Sequence, residues 1–187
     1  MKDGYQKNRL IALCSIVYFA SYICRKNFAV AMAGMLSLGV FDKGTAGLVG
    51  TALFATYGFG QIISGFLGDR LHPKVMIVTG LLTSAVCNAL LPLLPNPVLM
   101  IPVWAINGLA QAMMWPPLVK ICASALSADD YNRLMPVIGT SCAAATIAVY
   151  LVSPLIIQFS GWRQVFYVAA VVATMASFAW FVFTGPL

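Results

Sequence analysis

The sequence predicts an all-α protein that crosses a membrane six times. Of its 187 residues, 61% are hydrophobic and only 9% are charged, and the mean hydropathy is +0.90. A typical soluble domain carries about 25% charged residues, so this chain has too few charges to cover a water-soluble surface. Its apolar residues fall into six blocks, each long enough for a helix that crosses a bilayer core.

The six blocks form one domain, residues 1–187, because no connection between them is long enough to hold a folded unit. The first block is expected to be a retained helix, since it is too long for the apolar region of a signal peptide and five more spans follow. In the fourth block, Pro116-Pro117 should break or bend the helix. The predicted helices cover residues 10–38, 45–68, 74–94, 98–124, 134–158 and 163–184.

The basic residues predict that both termini are cytoplasmic. Seven of them lie on the N-terminal side of the membrane: Lys2, Lys7, Arg9, Arg70, Lys74, Lys120 and Arg133. Only Lys43 and Arg163 lie on the opposite side, and an excess of Lys and Arg marks the inner face. The net charge of +6 therefore reflects membrane topology, and nucleic acid is not an expected partner.

Small residues and cysteines are both expected to serve packing. Glycines recur in the second block, where close approach of helices is their usual role: Gly47, Gly50, Gly58, Gly65 and Gly68. All five cysteines fall inside apolar blocks and none forms a CxxC pair. Buried thiols are therefore expected, with no disulfide framework, metal site or cofactor.

The pair Arg25-Lys26 in the middle of the first block indicates a binding site. Arg25 lies about 22 Å along a helix of about 43 Å, which is too deep for its side chain to reach water. A charge at the midplane costs about 2.5–3.5 kcal/mol, and every aspartate lies near a block end, so the simplest counter-charge is a bound anion. The alternative is a structural cation satisfied by backbone carbonyls or by the rest of an assembly.

Candidate ligands for an anion accompany this pair. Tyr18 and Tyr22 share a helix face with Arg25, and their hydroxyls suit the oxygens of a phosphate or carboxylate. Lys26 adds a positive charge about 100° around the helix. Two further pairs, each one turn apart, are candidates for the same pocket or for simple packing: Tyr57 with Gln61, and Gln111 with Trp115.

The turn between the second and third blocks predicts a conformational latch. Gly65 allows helices to approach, and Asp69 with Arg70 and Lys74 forms a cluster of opposite charges that can be made and broken as helices rock against each other. The alternative is a positively charged determinant of topology. His72, in the same turn, is expected to be solvated.

At these residues the chain resembles a known family. The stretch G-x-L-x-D-R-x-x-x-K, residues 65–74, is similar to the signature loop of the major facilitator superfamily, and residues 161–166 resemble the entry to its sixth helix. The first-helix segment from Tyr18 to Phe28, with residues 57–61 and 111–117, more narrowly resembles the organophosphate:inorganic phosphate antiporters. These include glycerol-3-phosphate and hexose-6-phosphate transporters and a related hexose-phosphate sensor.

The resemblance implies that Arg25 binds a phosphate group, with Tyr18, Tyr22 and Lys26 beside it. It also implies a secondary transporter in a bacterial inner membrane. Two departures favour a less charged anion such as a carboxylate as the alternative to a phosphate ester or inorganic phosphate. Gln61 stands where the family's phosphate transporters have a lysine, and the fifth block has no histidine.

The family fold has twelve helices, and this chain resembles the N-terminal half, a six-helix bundle of two inverted three-helix repeats. Its implied partners are the lipid bilayer and a C-terminal six-helix half, because the family's substrate binds between the halves. We therefore expect that the purified 187-residue chain alone does not transport. Uptake by that chain in liposomes would contradict this expectation.

Other function classes are less consistent with the sequence. A membrane sensor would bind the same anion without moving it and would need a signalling partner. An intramembrane enzyme is disfavoured, because the chain has no Glu, no G-x-S-x-G or H-E-x-x-H motif, and no His or Asp within a span. A channel is disfavoured because no filter-like loop lies between the spans.

Overall fold

The computed structural model describes residues 4–184 and contains seven α-helices in that range. Two short 3₁₀ turns, Leu91–Leu93 and Pro97–Leu99, connect the third helix to the fourth. The helices are α1 (Gly4–Ser37), α2 (Lys43–Leu67), α3 (Pro73–Leu90), α4 (Met100–Ala112), α5 (Trp115–Ala125), α6 (Ala128–Ser160) and α7 (Trp162–Phe183).

The fourth apolar block forms two helices, which confirms the predicted break at Pro116-Pro117. Helix α4 ends at Ala112, and α5 starts at Trp115 with prolines in its first turn. Because proline has no backbone N–H, Pro116 and Pro117 cannot donate the helical hydrogen bonds that would join the two pieces. The fourth crossing therefore has a joint at Met113 and Met114.

Two predicted helix starts are wrong by six residues, because apolar blocks mark the bilayer core rather than the helix. Helix α1 begins at Gly4 instead of residue 10, and α6 begins at Ala128 instead of residue 134. At α6 the Ser127 side chain caps the helix by accepting from the Asp130 N–H. Acidic residues in that first turn also interact favourably with the helix dipole.

Five segments are long and apolar enough to cross a membrane: residues 43–67, 73–93, 97–125, 128–160 and 162–183. Helix α1 has sufficient length, with 34 residues, but is not among these five. Its charged and amide residues Arg25, Lys26 and Asn27 lower the hydropathy of its centre. The most polar of the six predicted spans is therefore the one that carries the candidate site.

The bundle has two large apolar cores separated along α1, with a smaller apolar cluster around Cys24 between them. Helix α1 packs against α6 and α7, α2 packs against α4, and α3 packs against α4 and α7. The first core surrounds the N-terminal half of α1 and includes Leu13 and Trp180. The second includes Phe28, Trp104 and Phe166, whose rings lie 5.4–6.5 Å apart. The candidate site lies on the part of α1 between these cores.

Close contact between α2 and α4 depends on Gly108 of α4 and on Gly60 of α2, which was not among the glycines of the sequence prediction. A Cβ atom at Gly108 would lie 2.3 Å from the Leu53 carbonyl oxygen and 2.2 Å from Thr56 Oγ1. The prediction of close helix approach is wrong for all five of these glycines among the described residues, because no atom of another helix lies within 4 Å of an added Cβ. At Gly68 the near atoms are the Ser64 and Gly65 carbonyl oxygens of the same helix end. The other four face open space: Gly47, Gly50, Gly58 and Gly65.

Replacing Gly108 by alanine is expected to destabilise the bundle by about 1–3 kcal/mol, because the added methyl group forces α2 and α4 apart. A lower midpoint of thermal unfolding in detergent would show this. Gly47→Ala is the matched control, since it adds the same methyl group to open space and improves helix propensity. Equal shifts in the two variants would contradict the packing role of Gly108.

Candidate functional site

Arg25 lies between two tyrosine rings that come from different helices. Its guanidinium carbon is 4.3 Å from the ring centroid of Tyr22 on α1 and 4.9 Å from that of Tyr57 on α2. Both distances fall within the range of cation–π contacts. Because these contacts use the charge of the guanidinium and not its hydrogen-bond donors, its N–H groups remain able to bind a planar or tetrahedral anion.

Within residues 4–184, Arg25 has no ion-pair partner. The two salt bridges among these residues join Lys7 to Asp130 and Lys120 to Asp69, at helix ends. The Nε atom of Arg25 is buried and has no hydrogen-bond acceptor. A buried donor without an acceptor costs about 1–3 kcal/mol, so Arg25 keeps an unsatisfied donor within the described residues.

Two more of the predicted residues continue the aromatic group. The ring of Tyr18 lies 6.4 Å from Tyr22, and Trp115 packs edge-on against Tyr18 at 5.1 Å. Tyr18 is 8% exposed, and both Tyr22 and Trp115 pack on the first apolar core. Trp115, Tyr18, Tyr22, Arg25 and Tyr57 thus form a continuous chain of contacts, which we call the arginine pocket.

Gln61 and Lys26 are close along α2 and α1 to Tyr57 and Arg25 of the pocket. Neither side chain forms a contact with the aromatic rings of the pocket. Gln61 is one helical turn beyond Tyr57 on α2, and its Nε2 atom is buried with no hydrogen-bond partner. Lys26 is partly exposed, and in the described part of the chain it forms neither an ion pair nor a hydrogen bond. Both side chains therefore retain unused donors.

Gln111 makes its hydrogen bonds inside the protein, and its role as a ligand stays a prediction; only the expectation that it shares one helix face with Trp115 is wrong. The residue is 2% exposed and lies in a buried polar group between α1, α3 and α4. Its Oε1 accepts a hydrogen bond from the Ser21 hydroxyl, and its Nε2 donates to Ser84 Oγ at 2.9 Å. Because α4 ends at Ala112, Gln111 and Trp115 belong to different helices and do not share one face.

At the rim that holds the start of α1 and the end of α2, Asp69 pairs with Lys120 of α5. The distance between Lys120 Nζ and Asp69 Oδ1 is 3.1 Å, and the same Nζ donates to the Gly68 carbonyl at 2.7 Å. Arg70 forms no ion pair among residues 4–184, and Lys74 lies over the Phe181 ring. The sequence indicates the acidic member of the latch but not this partner, because Lys120 is fifty-one residues away.

Cys142 and the buried amides are site features that the sequence motifs did not reveal. Cys142 of α6 packs on the same apolar core as Tyr22 of α1. All five cysteines are free thiols; four are buried, as expected, and Cys142 is partly exposed. Asn88 and Asn107 are both 0% exposed. The two asparagines could have been identified from the sequence, because polar groups inside a membrane are costly and an amide within an apolar block therefore indicates a specific role.

No cluster of three or more His, Cys, Asp or Glu side chains suited to a metal occurs in the described range. The fold and the arginine pocket together define a class of protein: an all-α domain that passes several times through a membrane and holds an interior cation with no ion-pair partner among residues 4–184. Charged residues inside a membrane commonly mark a substrate or ion pathway.

The chain belongs to the Major Facilitator Superfamily, whose family model matches residues 14–186. It is 32% identical to a glycerol-3-phosphate transporter of Bacillus subtilis, over 95% of this chain and 41% of the transporter. It is 26% identical to a probable hexose phosphate transport protein of Chlamydia muridarum, over 93% of this chain and 38% of that protein. The membrane sensor protein UhpC of Salmonella typhimurium is 23% identical over 90% of this chain and 38% of the sensor.

The chain spans about two fifths of the length of these relatives. The predicted fold class is confirmed, because the helical membrane domain fits half of a transporter of this superfamily.

Proposed function

We propose that this chain is the N-terminal half of a secondary transporter that exchanges an organic phosphate for inorganic phosphate. The observation that carries the proposal is the Arg25 guanidinium, clamped between Tyr22 and Tyr57 with a buried Nε that lacks an acceptor. Gln61 contributes a second buried donor without a partner one turn beyond Tyr57. Relatives named as glycerol-3-phosphate and hexose phosphate transporters support a phosphate ester as substrate.

In this proposal Arg25 binds two anion oxygens through its N–H edges, and Lys26 contributes a nearby positive charge. The Tyr18 and Tyr22 hydroxyls and Gln61 Nε2 supply hydrogen bonds. A second six-helix half would close the site, and alternating access would move the anion between the two sides. Both termini would lie in the cytoplasm, and the protein in the cell membrane, as the distribution of basic residues favours.

Exchange in proteoliposomes tests this function. We would reconstitute the native gene product, including any sequence that follows Leu187, in liposomes loaded with inorganic phosphate. Uptake of labelled glycerol 3-phosphate that requires internal phosphate would support the proposal. Succinate and hexose 6-phosphate, added as competitors, separate a carboxylate site from a phosphate site. Failure of all these anions to bind would contradict it.

A sensor is the second candidate, and similarity to a membrane sensor protein favours considering it. A sensor would use the same arginine pocket to bind the anion but would not release it on the other side. Binding of glycerol 3-phosphate or hexose 6-phosphate without any exchange in loaded liposomes would favour the sensor.

Bound anion is expected to slow the alkylation of Cys142 at least threefold, because this partly exposed thiol packs on the same apolar core as Tyr22 of the arginine pocket. Labelling with N-ethylmaleimide followed by peptide mass spectrometry measures the rate at this cysteine. The Cys142→Ser variant shows the background from the four buried thiols. An identical rate with and without saturating inorganic phosphate would place the bound anion elsewhere.

A further inference from the structure

A buried network of amide and hydroxyl side chains joins α1 to α3 and α4 directly behind the arginine pocket. Ser84 Oγ of α3 donates to Asn107 Oδ1 of α4 at 2.6 Å and accepts from Gln111, which in turn accepts from Ser21 of α1. Asn27 Nδ2 of α1 donates to Asn88 Oδ1 of α3 at 2.7 Å. These six side chains are at most 4% exposed, so they are shielded from solvent.

Two members of the network converge on one backbone atom of α1. Asn107 Nδ2 donates to the Cys24 carbonyl oxygen at 3.1 Å, and Asn88 Nδ2 donates to the same oxygen at 3.3 Å. In a regular helix this carbonyl accepts from the Phe28 N–H, which here also has Asn27 Oδ1 as an acceptor at 2.9 Å. The network therefore holds the peptide that connects Cys24 to Arg25.

The Arg25 side chain is fixed weakly by its own contacts. Its neighbours Tyr22 and Tyr57 make cation–π contacts, which tolerate sliding of the guanidinium, and its Nε has no hydrogen bond. The direction of the guanidinium thus depends on the rotation and height of the α1 backbone at residues 24 and 25. Recognition of an anion by two parallel N–H bonds requires that direction to be held closely.

We infer that Asn88, Asn107 and Gln111 are positioning residues, which set the anion affinity by orienting Arg25 without contacting the anion. This inference rests on the proposed anion site. A purely structural network would only hold α1, α3 and α4 together, since hydrogen bonds between membrane helices commonly do so. The two roles predict different results when the guanidinium of Arg25 is removed. If the network orients Arg25, a network substitution should weaken anion binding only while that guanidinium, with its two parallel N–H donors, is present.

A double-mutant cycle separates the two roles. Asn107→Leu removes one donor from the Cys24 carbonyl, and we would measure inorganic phosphate binding by calorimetry in the native gene product. The expected loss of affinity is at least fivefold with Arg25 present. In the Arg25→Lys background, where no fork needs orientation, the expected loss is less than twofold. Equal losses in both backgrounds, or no loss in a folded variant, would overturn the positioning role.

Thr56→Val is the matched control. It removes a hydrogen bond of the same kind between α2 and α4, from Thr56 Oγ1 to the Ala105 carbonyl at 2.7 Å, outside the network. It should lower the thermal midpoint while changing phosphate affinity less than twofold; a larger change would show that loosening α4 alone explains the effect. Ser84→Ala, which disconnects Asn107 from Gln111, takes the place of Asn107→Leu if that variant does not fold, with about a threefold expected loss.

The outcome for the unaltered protein distinguishes this inference from the proposed function. If it binds none of inorganic phosphate, glycerol 3-phosphate and succinate, the anion site is wrong, and the positioning role is wrong with it. If it binds one of them and the cycle shows no coupling between residues 25 and 107, only the positioning role is wrong.

Discussion

Replacing Arg25 by alanine in the native gene product is expected to weaken binding of the anionic substrate at least tenfold. The change removes the interior cation and its hydrogen bonds to the anion, and a hydrogen bond to a charged group contributes about 1.5–3 kcal/mol. Arg25→Lys keeps the charge but loses the planar fork, so an intermediate affinity is expected. Calorimetric titration with inorganic phosphate and glycerol 3-phosphate measures both variants.

Arg163→Ala is the control for this experiment. Arg163 also lies beside an aromatic ring, that of Trp162, but its Nε donates to the Pro92 carbonyl at 3.2 Å and so has its acceptor inside the protein. This variant should bind the anion as the unaltered protein does. An Arg25→Ala affinity within threefold of the unaltered value, about 0.7 kcal/mol, would remove Arg25 from the site.

The part of the site within one helix could be predicted from the sequence. Tyr18, Tyr22 and Arg25 lie on one face because helical spacing fixes which residues are neighbours, and the structure links them through ring contacts. The same reasoning fails for Gln111 and Trp115. It assumes one continuous helix, and the chain breaks at Met113 and Met114.

Contacts between helices could not be predicted, because spacing along the chain carries no information about which helices meet. Tyr57 proved to be the second ring on Arg25, and Lys120 the partner of Asp69. The helix ends also differ from the apolar blocks. An apolar block marks only the part of a helix that lies in the bilayer core. Helix α6 extends beyond that part to Ala128, where Ser127 caps it.

Removing Lys120 is expected to slow exchange without weakening substrate binding. The Asp69–Lys120 bridge joins the end of α2 to α5 at a rim remote from the arginine pocket, so it can stabilise one conformation of the cycle. Its exposed geometry makes it worth only about 0–1 kcal/mol, which corresponds to at most about a fivefold change in conformational populations. Lys120→Ala should therefore reduce the exchange rate by at most about fivefold, with phosphate affinity changed less than twofold.

Comparing the exchange rates of several variants at this rim tests the latch more sharply than the rate of Lys120→Ala alone. Asp69→Asn should slow exchange less than Lys120→Ala does, because the amide oxygen can still accept from Lys120, which also keeps its bond to the Gly68 carbonyl. Arg70→Ala removes an equal charge from the same rim but leaves the bridge intact, so exchange should continue near its normal rate. A slower rate for Arg70→Ala than for Lys120→Ala would show that rim charge, rather than this bridge, controls the motion. Swapping the pair, Asp69→Lys with Lys120→Asp, should restore part of the lost rate, because the attraction between α2 and α5 survives the exchange of signs.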